Sequence, residues 1–118
     1  MIAKRVKRTG NSSFGHLARY IAGARDQGEK LDALWIVNSN AGGELEDLSH
    51  AIRDIEATQA LNSRSNADKT YHLIVSFRDE KPPSDQLREI EQSIARALGF
   101  DHHQRVIATH QNTDNFHM

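Results

Sequence analysis

Apolar residues along the chain alternate between strand-like and helical spacing. Residues 2–8 (Ile-Ala-Lys-Arg-Val-Lys-Arg) alternate imperfectly and predict a short strand. Gly10-Asn11-Ser12-Ser13 reads as a loop, and Ser12 or Ser13 is placed to cap a helix beginning near Phe14. In that helix Phe14, Leu17, Ala18 and Ile21 recur at helical spacing, and it should end in the region from Gly23 to Gly28. Leu34 to Asn38 is an apolar run of the kind a buried strand shows, broken by Asn40-Ala41-Gly42-Gly43. Leu45, Leu48, Ile52 and Ile55 step by three, four and three, which predicts a helix from about Leu45 to Leu61. From Tyr71 to Arg78 the alternation is clean, with Tyr71, Leu73, Val75 and Phe77 on one face and His72, Ile74 and Ser76 on the other.

Pro82-Pro83 ends that strand, and Ser84 is a suitable cap for the next helix. Its buried face is Leu87, Ile90, Ile94 and Leu98, and Gly99 is a natural stop. Gln104 to His110 predicts a strand, Gln111 to Asp114 a turn, and Asn115 to Met118 the start of another strand. The order β-α-β-α-β-α-β-(β) gives an α+β fold with helices packed on a sheet. There is no internal repeat and no boundary, so residues 1–118 are expected to form one domain, long enough to bury a core without staples.

Composition narrows the chemistry. The chain has no cysteine, so disulfides and thiolate sites are excluded and any metal must be held by His, Asp or Glu. No apolar run approaches the roughly 20 residues of a membrane helix. The basic start is not followed by the apolar segment of a signal peptide, which makes a cytoplasmic protein the expectation. Net charge is −1, but it is unevenly distributed. Lys4, Arg5, Lys7 and Arg8 lie in the first ten residues with no acid among them, whereas residues 44–56 carry Glu44, Glu46, Asp47, Asp54 and Glu56 against Arg53. A basic strand facing phosphate and an acidic helix facing solvent fit this polarity; two ordinary solvated faces fit it equally.

Seven histidines are present. Two of them, His110 and His117, flank the short turn near the C-terminus. In a hairpin they can oppose each other with Cβ atoms roughly 4.5–5.5 Å apart, close enough to share one ion. Asp114, between them, is placed to accept the second ring N–H of a ligating imidazole. Spacing alone favours an ordinary surface or core role for such a pair, because short motifs match often by chance. A third ligand would best come from two residues past His117, a position the chain does not reach. The expectation is therefore an N-terminal piece of a longer domain, its last strand incomplete, with weak metal binding and little or no cleavage activity of its own. Tyr20 lies on the first helix between Leu17 and Ile21 and could be core; Tyr71, beside Leu73 on the apolar strand face, is the better core residue.

The motifs together resemble a known family. His110-Gln-Asn-Thr-Asp114-Asn-Phe-His117-Met118 is similar to the third motif of conjugative relaxases, which reads H-x3-D-x2-H-x-H. Met1-Ile-Ala-Lys4 resembles the start of relaxases of the IncP-plasmid type, and Phe14-Gly-His-Leu-Ala-Arg-Tyr20-Ile21 resembles the first motif, which carries a nucleophilic tyrosine. Asp68-Lys-Thr-Tyr-His-Leu-Ile-Val-Ser76-Phe-Arg78 resembles the second, and Gly99-Phe-Asp-His-His-Gln-Arg-Val leads into the third as it does in that family. The resemblance spans the chain, with three motifs in order.

It implies the HUH-endonuclease fold, an antiparallel sheet of about five strands flanked by helices and related to RNA-recognition modules. It implies that Tyr20 attacks a phosphodiester at a plasmid transfer origin, leaving a 5′-phosphotyrosine and a free 3′-hydroxyl. His110 and His117 would bind a divalent metal (Mn²⁺, Mg²⁺ or Zn²⁺), Asp114 would support them, and Ser76 would help place DNA. Tyrosine has an ordinary pKa near 10 and needs such activation to act as a nucleophile at neutral pH. Arg5, Lys7 and Arg78 are candidate phosphate contacts. Single-stranded DNA and relaxosome accessory proteins are the implied partners, and an unfinished sheet edge invites a homodimer. The alternatives are a non-catalytic single-stranded DNA-binding module, weakened by only 6% aromatic residues, and an assembly module of the same fold.

Overall fold

The computed structural model describes residues 1–8, 13–23, 30–64, 67–78, 81–111 and 115–118. Five strands and three helices follow one another as β1 (Ile2–Arg5), α1 (Phe14–Gly23), β2 (Lys30–Val37), α2 (Leu48–Ala60), β3 (Leu73–Phe77), α3 (Ser84–Ala97), β4 (Arg105–Gln111) and β5 (Phe116–His117). The strands form one sheet in the order β1-β3-β5-β4-β2, and every neighbouring pair is antiparallel. The architecture is the α+β antiparallel sheet with flanking helices that the sequence predicts.

Strict alternation along the strands gives the sheet two apolar faces, each covered by helix. Trp35, Val75, Phe77, Ile107 and Phe116 point to one side and pack with Leu87 of α3, with Ile90 and Ile94 against the same cluster. Leu34, Ile36 and Ala108 point to the other and pack with Ala51 of α2, Ile21 and Ala22 of α1, and Leu48. α1 lies close against α2, and Gly15 makes this possible. Its N–H donates to Glu56 Oε2 at 3.2 Å, and a Cβ there would fall 2.8 Å from Ile52 Cγ2.

Several boundaries differ from the periodicity, each for a local reason. Ser13 caps α1 by accepting the His16 N–H at 3.1 Å. The segment from Leu45 opens as a 3-10 turn, Leu45–Asp47, because Glu44 and Asp47 close a capping box that tightens it before α2 starts. β2 begins at Lys30, well before the apolar run, because it pairs with β4 as far as Gln111. A register shift between Leu31 and Ala33 there leaves Asp32 to accept hydrogen bonds from Thr109 Oγ1 and Lys81. Ser84 is the first residue of α3, not its cap; Pro83 occupies that position, and its carbonyl receives the Leu87 N–H. Gly99 stops the helix with φ +79°, the left-handed conformation glycine adopts freely.

The connection from α3 to β4 is fastened from inside. Arg105 donates through Nε and Nη2 to the Glu91 carboxylate at 3.0 and 2.8 Å, and through Nη1 to the carbonyls of Phe100 and Asp101 at 2.9 and 3.2 Å. Glu91 is only 8% exposed, so this is a largely desolvated, multiply bonded pair.

Candidate functional site

Strand register assembles the site. His110 of β4 lies directly opposite His117 of β5, His117 opposite Ser76 of β3, and Ser76 opposite Ile2 of β1. Opposed residues of antiparallel strands present their side chains on one face. Ile2, Ser76, His117 and His110 therefore form a row across the sheet, on the side where α1 and α2 pack. The two imidazoles are neighbours, with ring centroids 5.1 Å apart and planes inclined at 49°. His110 is buried and His117 half-buried, while Ser76 is exposed.

The first helix reaches this row through its backbone. His110 Nε2 lies 2.6 Å from the carbonyl oxygen of Ile21. A carbonyl only accepts, so Nε2 carries the proton and Nδ1 is the lone-pair nitrogen of the neutral ring. Tyr20, the residue before Ile21, is 45% exposed, so its phenol is not part of the core. Tyr20, His110 and His117 line one cavity of about 690 Å³. The cavity continues between β3 and β4 past Met118, whose N–H and C=O each bond the Val75 backbone at 2.8 Å. Leu73 and Val75 wall it on one side, Val106 and Ala108 on the other.

Among the described residues no group of three His, Asp or Glu side chains is gathered as a metal site would require. The donor chemistry present, two adjacent imidazoles, suits part of the coordination shell of a transition-metal ion. Asp114 lies outside the described residues.

The remaining predicted positions separate by face. Arg5 is opposite Leu73 and so projects to the α3 side, where its guanidinium sits 4.8 Å from the Tyr71 ring centroid. Lys7 and Arg78 are exposed just beyond the ends of β1 and β3. Tyr71 is not the core residue its alternation implies. It is 39% exposed and meets Phe100 edge-on at 5.0 Å, because β3 begins only at Leu73 and Tyr71 lies past the covered part of the sheet. Lys4, in the sequence only one of four cations of the basic first strand, lies opposite Ile74 and hence on the same face as Ser76 and His117. Alternation within β1 pairs Lys4 with Ile2, but only the register shows which face that is.

Two groups near β1 have shifted ionisation. Burial lowers the His72 pKa from its ordinary 6.5, and the positive charge of Arg8 lowers it further. Burial acts to raise the Asp68 pKa, but hydrogen bonds from the Thr70 N–H and Arg8, together with the charges of Arg8 and Arg5, outweigh it and hold the carboxyl below its usual range.

An exposed phenol and paired imidazoles line one cavity on an antiparallel sheet, with an exposed serine opposite His117, a set of groups chemically able to act on a phosphodiester. Comparison with known families agrees: residues 20–118 match the relaxase family described as MobA/VirD2-like, nuclease domain, and the chain belongs to that family. Two relatives, each a Protein TraI of Escherichia coli, are 45% and 44% identical to it over 121 aligned positions. Those matches take in 100% of this chain but 16% of each relative, so it spans about a sixth of their length. No solved structure matches it.

Proposed function

We propose that this domain nicks one strand of DNA at a plasmid transfer origin, with Tyr20 as the nucleophile. The observation that carries the reading is the link through Ile21: its carbonyl holds His110, His110 faces His117, and the exposed phenol of Tyr20 is the adjacent residue on the same cavity. In the reaction a bond forms from the Tyr20 oxygen to phosphorus as the bond from phosphorus to the 3′-oxygen breaks. The phenol loses its proton, the departing 3′-oxygen gains one, and a 5′-phosphotyrosine remains. The phosphodiester energy is conserved in that link, so the reverse attack rejoins the strand.

His110 and His117 are the residues that would hold a divalent cation, which when bound neutralises charge on the non-bridging phosphate oxygens. Ser76, exposed beside His117, donates a hydrogen bond to the same phosphate. Asp114 supports an imidazole of the pair, and Lys7 and Arg78 contact the DNA backbone farther out; Arg5, held over Tyr71 on the opposite face of the sheet, is not among these contacts. Relaxosome accessory proteins complete the assembly, and the sheet edge offers a surface for a second copy.

The test is covalent capture. With Mn²⁺ and single-stranded oligonucleotides spanning a cognate transfer origin, the expected product is a DNA–protein adduct, in low yield because only two imidazoles are gathered among the described residues, whose mass maps to Tyr20 and which is absent in Tyr20→Phe. An adduct that survives Tyr20→Phe, or nicks that carry no protein, refutes this chemistry. One observation favours a second reading, binding without cleavage: two imidazoles are gathered but no third donor joins them among the described residues. DNA binding unchanged by Tyr20→Phe, with no adduct under any metal, is its expected signature.

A further inference from the structure

The row of Ile2, Ser76, His117 and His110 does not stop at the serine. On the same face, β1 carries a 65% exposed isoleucine directly opposite Ser76 and an exposed lysine one pleat repeat further along. α1 packs toward β2 and β4 at the other half of the sheet, which leaves this corner open beside the site. The Ile2 side chain is apolar surface open to solvent beside the polar row, and a ligand that covers it gains the burial.

We propose that Ile2 and Lys4 form a nucleotide subsite next to the cleavage site, Ile2 packing against a sugar or base and Lys4 neutralising the phosphate beside the scissile one. The inference rests on the nuclease reading and adds the residues that hold the neighbouring nucleotide. Dimensions permit it. β1 lies two strand spacings from β5, roughly 10 Å, and Lys4 is about 6.8 Å along β1 from Ile2, with a flexible four-carbon stem to close the remaining distance.

The N-terminal cations are sorted by the same register. Arg5 is on the opposite face over Tyr71, and Arg8 is engaged with Asp68. Lys7 follows the end of the strand. Lys4 alone of the four is placed by strand pairing on the face of Ser76 and His117, and it has no salt-bridge partner among the described residues. The polar-faced strand thus presents one apolar and one cationic side chain in alternation, which matches the alternation of base or sugar and phosphate along a single strand.

The experiment is a salt titration of binding, read by fluorescence anisotropy with a single-stranded oligonucleotide in EDTA, so that no cleavage is involved. Lys4→Gln is expected to lower affinity for all sequences and to reduce the slope of log K against log salt by about 0.7, the value for one phosphate contact on a single strand. Ile2→Ser is expected to weaken binding without changing the slope, and Lys4→Arg to keep the parent slope. Arg88→Gln removes the same charge from the α3 side, where Arg88 lies 4.9 Å from the Trp35 ring centroid, and is expected to leave the slope unchanged. Lys4 and Ile2 are exposed, so the variants should melt with the parent. A Lys4→Gln slope equal to that of the parent overturns the subsite and leaves the nuclease reading intact. A parent chain that does not bind the oligonucleotide at all overturns both.

Discussion

At the scale of single residues, three side chains have effects that can be separated. Tyr20 has a phenol that is not buried, so Tyr20→Phe removes chemistry with little change in stability; the expected result is loss of adduct with a melting temperature within error of the parent. Ser76 is exposed and opposed to His117. If it supplies one hydrogen bond to the transferring phosphate, Ser76→Ala should slow adduct formation by about 10²-fold, the usual loss for one such donor, with DNA affinity nearly unchanged.

His72 gives a pH effect distinct from catalysis. Its folded-state pKa is depressed, by burial first and by Arg8 second. The unfolded chain therefore takes up a proton before the folded one as pH falls. The resulting stability is present above the unfolded value near 6.5 and is lost as pH drops through 6.5 toward the folded value. Thermal melts from pH 8 to 5.5 should show this decline, and His72→Gln should flatten it. A decline of equal size in the variant would assign the effect to other groups.

At the scale of elements, the hinge between α3 and β4 rests on Arg105 and Glu91. Both side chains are largely out of water, at 13% and 10% exposure, and Arg105 also bonds carbonyls of the connecting turn. Removing one partner leaves a buried charge unmatched, so Glu91→Ala should destabilise the domain by about 3–5 kcal/mol in urea unfolding. Sequence periodicity gave no hint of this pair: Glu91 falls one position after Ile90 on a helix full of charged residues, and its burial follows from Arg105 arriving at the start of β4. The same limit applies to Tyr71. Alternation put it with Leu73 and Val75, but the covering helix does not extend that far.

At the scale of the whole molecule, the basic β1 forms one edge of the sheet while α2, in the acidic segment, packs on β2 and β4 at the other, a separation that the net charge of −1 conceals. Metal binding is the property to measure on the intact chain. A ligand that binds only the folded state stabilises it by RT ln(1 + [L]/Kd), about 2.7 kcal/mol at a hundredfold excess over Kd. Mn²⁺ should therefore raise the melting temperature of the parent, and His117→Ala should abolish the rise. A shift that persists in His117→Ala would place the ion elsewhere.

The sequence by itself determined the element order, the two strand faces and the chemical types available. Apolar spacing is a one-dimensional record of burial, and motif order survives in it. It also marked Tyr20, Ser76, His110 and His117 as candidates, through the resemblance of three ordered motifs to the relaxase family and not through the spacing of any one pair. Only the tertiary structure decided how they meet. Strand order β1-β3-β5-β4-β2 brings together residues from distant parts of the chain, and register, fixed by backbone pairing, selects which face each occupies. A one-residue slip would have moved Lys4 and Ser76 to the other side, and no property of the isolated strands specifies against that slip; the packing of α1, α2 and α3 on their respective faces does.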